Sequence, residues 1–143
     1  MVIYGVCVSE INNLNAEKAE QFLETLKGTK AGSIAEEYFI SKEDNEHDLQ
    51  SFLYDYEGDG GYYGLAAFLR DIIASLEEID ISCDDPDGVH YLGLSIDTPW
   101  KYNEKTRNMS EEEYTDILQK YVSYFTDESL KVNFWSVNDD CDW

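Results

Sequence analysis

The tract Asp55-Tyr56-Glu57-Gly58-Asp59-Gly60 places acids at its first, third and fifth positions and glycine at its sixth, as the start of a calcium-binding loop does. The twelfth position, which must supply a bidentate carboxylate, is Ala66, inside a run of helical periodicity. Calcium chemistry is therefore not expected. Asp84, Asp85 and Asp87 form a second acidic group that could attract a hard cation, but the turn signal of Pro86 and Gly88 already explains their company. His47, His90, Cys7, Cys83 and Cys141 show no paired spacing of the zinc type, so neither a metal nor another cofactor is expected. Among 31 acids any two carboxylates can be matched, which empties that signal for acid–base or glycosidic chemistry. The glycines from Gly58 to Gly64 lack the lysine and the spacing of a phosphate cradle. No reaction is legible, and the chain is not expected to be an enzyme.

The elements that would carry these residues are easier to read. Val2 to Val8 is apolar on both alternating faces and predicts a central strand. Asn15 caps a helix whose stripe is Ala19, Phe22, Leu23 and Leu26, with Gly28 as its stop. Residues 29 to 45 suit either a short helix or a strand, and Leu49, Phe52, Leu53 and Tyr56 mark a further helical stripe. Leu65, Phe68, Leu69, Ile72, Ile73 and Leu76 predict a helix with one buried face. Ile79 to Cys83 and Val89 to Ile96 predict a hairpin, with His90 as an ordinary strand residue. Ser110 and Glu113 form a capping box ahead of Tyr114, Ile117, Leu118, Tyr121, Val122 and Phe125, and Leu130 to Val137 closes as a strand. The expectation is one α+β domain over residues 1–143, ferredoxin-like βαββαβ: a four-stranded antiparallel sheet with helices on one face and a helical insertion near 34–57.

Charge is the dominant property. The 143 residues carry a net charge of −21, from 31 acids against 10 bases. From Glu43 to Trp100 there are fifteen acids and one base, Arg70, so this segment holds −14 of the total. Phosphate contacts need lysine and arginine, so direct nucleic-acid binding is not expected. No run approaches the ~20 apolar residues that cross a bilayer, and no basic region precedes the first apolar run. Three unpaired cysteines fit reduced thiols, and Cys7, in an apolar strand, fits inert packing. A soluble, cytoplasmic protein is expected.

In size, charge density and tyrosine richness the whole chain resembles the DNA-mimic inhibitors, small acidic proteins that phages and mobile elements use against restriction or CRISPR nucleases. The likeness rests on no motif. It implies a protein that inhibits or neutralises a basic, nucleic-acid-handling protein by presenting a phosphate-like field. Immunity proteins of nuclease toxins share the same electrostatics. The contact residues expected on exposure are Asp55, Glu57, Asp59, Asp71, Glu77, Glu78, Asp80, Asp84, Asp85 and Asp87, with Tyr62, Tyr63 and Trp100 as aromatic anchors. Glu111, Glu112 and Asp116 are assigned instead to the N-terminus of their own helix. Two other functions fit less well: a metal-dependent module or enzyme using the acidic turns, and a structural subunit, possible as a homodimer through its sheet, whose charge only solubilises it.

Overall fold

The computed structural model describes residues 2–26, 64–84, 89–96 and 102–136. Its strands are β1 (Val2–Cys7), β2 (Ser82–Asp84), β3 (Tyr91–Ser95) and β4 (Asn133–Ser136). They form one sheet in the order β2-β3-β1-β4, and every pairing is antiparallel. The helices are α1 (Ala16–Thr25), α2 (Gly64–Glu77), the short α3 (Glu104–Arg107) and α4 (Glu111–Ser123), with a 3₁₀ turn over Val8–Glu10. The α+β class and the four-stranded antiparallel sheet are those the sequence predicts. The insertion expected near 34–57 lies outside the described residues, as does the stripe from Leu49 to Tyr56.

Register decides which side chains share a face. Val6 pairs with Leu92, and Leu92 with Cys83, so these three point to one side and join the main core. Ala19, Phe22 and Leu26 of α1, Phe68, Leu69, Ile72 and Ile73 of α2, and Tyr114, Leu118, Tyr121 and Val122 of α4 complete that core. Phe22 stacks on Tyr124 at 4.1 Å and meets Phe125 edge-on at 5.6 Å, fixing α1 to the end of α4. Each such buried side chain contributes roughly 1.5–3 kcal/mol of transfer free energy, so this cluster drives the packing.

Ile3, Gly5 and Cys7 occupy the other face, opposite Ser95, Gly93 and Tyr91. Gly5 and Gly93 face each other directly, and a Cβ at either would collide with backbone across the pair: Leu92 O for Gly5, Tyr4 O for Gly93. Trp135, on the same face, uses this bare strip. Its Nε1 donates to Gly5 O at 2.8 Å, and its ring lies 5.8 Å from that of Tyr91.

Local signals hold at the helix starts. Asn15 Oδ1 accepts from Lys18 N–H at 3.1 Å, and Ser110 Oγ accepts from Glu113 N–H at 3.1 Å. Several strand boundaries differ from the sequence expectation. Val8 turns into the 3₁₀ segment. Ile79 and Ile81 are buried but precede β2. Of the described residues of the last apolar run, Asn133–Ser136 pair with β1, while Leu130 turns into the core. His90 precedes β3 instead of lying within it, yet it still extends the pairing, its carbonyl accepting from Val8 N–H and its N–H donating to Ser9 Oγ.

Candidate functional site

The acids expected to line a ridge after Gly64 are mostly engaged inside the fold. Asp71 is the clearest correction. It was expected on the outer face of its helix, but its side chain is only 15% exposed and pairs with Arg70 Nε at 3.0 Å. The reason is that α2 is buried on more than its apolar stripe: Ala66 and Ala67, off that stripe, are 2% and 0% exposed. Small residues on the back of a helix were the sequence signal for this, and they allow close approach.

Glu77 is also turned inward, contrary to the exposed position expected. Its carboxylate accepts the Tyr121 hydroxyl at 2.6 Å and lies 3.6 Å from Lys120 Nζ, while its carbonyl accepts from Lys105 Nζ. Asp80 holds the start of α3: its carboxylate accepts from Asn103 N–H, and its own N–H donates to Thr106 Oγ1 at 2.8 Å. Asn103 in turn caps α3 through Thr106 N–H and donates to Glu78 O at 3.1 Å. These bonds tie the C-terminal end of α2 to α3, a helix the sequence reading missed; Asn103 three residues before Thr106 was its signal. Glu78 is exposed, at a positive φ of 57°. Asp84 is half-buried on β2. Asp55, Glu57, Asp59, Tyr62, Tyr63, Asp85, Asp87 and Trp100 lie outside the described residues.

Further exposed carboxylates of the described chain lie away from the expected ridge. Glu17, Glu20 and Glu24 recur at helical spacing along the outer side of α1, and Glu111, Glu112 and Asp116 are exposed on α4. Neither group was expected as a contact surface. For α1 the signal was present in the phase of the stripe, since positions opposite Ala19, Phe22 and Leu26 must face outward.

Beside α4 the surface is shaped as well as charged. Tyr4 Oη lies 2.7 Å from Thr115 Oγ1, and the Tyr4 ring meets Phe134 at 4.7 Å. Further along the same flank, Gln119 and Val122 with Val6 and Leu130 line a cleft of about 330 Å³, and Lys18 and Asp127 close one side of it. That side is a polar clasp. Glu128 accepts from the N–H groups of Asn12 and Asn13 at 2.9 and 2.7 Å, and Asp127 accepts from Asn15 Nδ2 at 2.9 Å and Lys18 Nζ at 3.1 Å. Hydrogen bonds from the Asn13 and Asn12 backbone hold the Glu128 carboxyl below its ordinary range, and those from Asn15 and then Lys18 do the same for Asp127.

Among the described residues no three His, Cys, Asp or Glu side chains are grouped to hold a metal ion. No described helix is long and apolar enough to cross a membrane. Cys7 and Cys83 are buried, reduced thiols on opposite faces of the sheet, and burial pushes the Cys7 thiol up. Cys141 and His47 lie outside the described residues. Comparison of the chain with protein-family models, with curated proteins and with solved structures finds no match.

Proposed function

We propose that this chain is an acidic binding protein that occupies the basic surface of a nucleic-acid-handling protein and thereby inhibits or neutralises it, without performing a reaction of its own. The observation that carries this is the net charge of −21 on a chain with a packed aromatic core. Self-repulsion at that level opposes folding, so so large an excess calls for a use, and a concentrated negative field attracts and steers a basic partner. Exposed carboxylates spaced along the outer sides of α1 and α4 support the proposal by offering such a field from rigid helices. The partner class is that of the DNA-mimic inhibitors and nuclease-immunity proteins. Reduced Cys7 and Cys83 and the absence of a membrane-crossing helix among the described residues support a cytoplasmic setting.

The test is displacement. A labelled DNA duplex bound to each of a panel of restriction and CRISPR nucleases is titrated with this protein at low and high salt. Release of the duplex from at least one nuclease is expected, weakening steeply with salt because the field is screened over about 8 Å at physiological ionic strength. Failure to displace nucleic acid from any basic enzyme at low salt overturns the proposal.

A further inference from the structure

We infer that the edge of β4, which no further strand of the described residues covers, is with the flank of α4 beside it where the basic partner docks, and that it receives an extended segment bearing arginine or lysine. This rests on the binding function proposed above and names its site. Backbone geometry decides what the edge offers. Ile96 N–H donates to Val2 O and Val8 N–H donates to His90 O, so the even-numbered residues of β1 bond toward β3. Ile3 and Gly5 therefore bond toward β4, in agreement with Trp135 Nε1 reaching Gly5 O. It follows that Ile3 with Trp135 and Gly5 with Asn133 are the hydrogen-bonded pairs, and Tyr4 with Phe134 is not. The N–H and C=O of Phe134 consequently point out of the sheet, where no further strand pairs among the described residues. Asn133 Oδ1 accepts that N–H at 2.8 Å, a local cap that a docking strand can replace.

The side chains around this edge select the partner's chemistry. Phe134 is 50% exposed, more than any other large apolar side chain among the described residues. Its ring meets that of Tyr4 at a tilt of 51°, and Tyr4 contacts Thr115 of α4. Glu111 and Glu112 precede Thr115 by one helical turn, lie on its flank and are exposed. Further along that flank lies the 330 Å³ cleft floored by Val6, Val122 and Leu130, the last of these on the segment that leads into β4. One border thus combines outward backbone groups, an aromatic ring, carboxylates and a cleft. An added strand satisfies the backbone groups, and every second side chain then lies toward the flank. Arginine suits these positions, because its stem covers Phe134 while its guanidinium meets the carboxylates. A second copy of this chain does not suit them, since two bodies of charge −21 repel.

The probe is a short peptide of alternating arginine and valine, with a glutamate and valine peptide as control. Binding is followed by calorimetry at low and high salt and by backbone amide NMR of the full chain. Shifts concentrated in 132–136 and 111–122 are expected with the arginine peptide alone. Phe134→Ala should weaken it about tenfold, as loss of an exposed aromatic anchor does. Glu111→Gln with Glu112→Gln should weaken it about fivefold and flatten the salt dependence. Phe134→Pro removes the outward N–H while sparing the β1 ladder, and should weaken binding beyond the alanine variant; near-UV circular dichroism of Trp135 verifies folding of each. Arginine-peptide binding that shifts Glu17, Glu20 and Glu24 instead, unaffected by Phe134→Ala, overturns this site and leaves the acidic binding function standing. No arginine-peptide binding even at low salt overturns both.

Discussion

Two tyrosines of α4 sit in similar burial but opposite hydrogen-bonding circumstances. The Tyr121 hydroxyl donates to Glu77, whereas the Tyr114 hydroxyl is buried without a partner among the described residues. Removing a satisfied bond to a charged group and removing an unsatisfied group have opposite signs. Tyr121→Phe should cost about 1.5 kcal/mol, while Tyr114→Phe should leave stability unchanged or raise it by up to ~1 kcal/mol, as read from urea unfolding. Burial pushes both phenols up, and for Tyr121 the Glu77 carboxylate adds to this. A raised folded pKa means stability that is full below the ordinary tyrosine value of 10.0 and is lost as pH rises above it. The Glu128 clasp has the reverse sign. Its carboxyl is held below the ordinary 4.5, so its contribution is full above that pH and fades as pH falls below it. Glu128→Gln should lower the melting temperature at neutral pH, and the gap to the parent protein should narrow in acid; a gap that widens in acid would contradict the clasp.

Among the elements, β1 and β3 depend on a side-chain-free crossing. Gly5→Ala or Gly93→Ala drives a Cβ into the paired backbone around Gly5, whose carbonyl holds the Trp135 indole. A loss of ~2–3 kcal/mol is expected, with a change in tryptophan fluorescence, because overpacking against backbone cannot be relieved by a rotamer change. The helix starts behave more conventionally. Asn15→Ala removes the cap of α1 and a bond to Asp127, and should cost about 1 kcal/mol or somewhat more. These caps were readable in the sequence because a cap needs only one polar side chain within three residues of an N–H. The bonds between the end of α2 and α3 were not readable, since Asp80 and Thr106 are brought together only by the tertiary path.

At the scale of the molecule, 31 acids against 10 bases make stability itself salt-dependent. Added sodium chloride screens self-repulsion and should raise the melting temperature, while the same salt weakens partner binding. A melting temperature that falls with salt would show that local ion pairs such as Lys18–Asp127 and Arg70–Asp71 outweigh the net field. The sequence by itself determined the charge, the class of the fold, the apolar stripes of α1, α2 and α4, and the hairpin between β2 and β3. Each of these follows from composition or from a period of two or 3.6 residues, which a single element reveals alone. Tertiary structure decided which carboxylates face water. Asp71, Glu77 and Asp80 were themselves expected on an exposed face, yet Arg70, Tyr121 and Asn103 engage their carboxylates within the fold. It also decided that Phe134 of β4 and Thr115 of α4 meet the same residue, because Tyr4 of β1 pairs with Phe134 across the sheet and touches Thr115 through its hydroxyl.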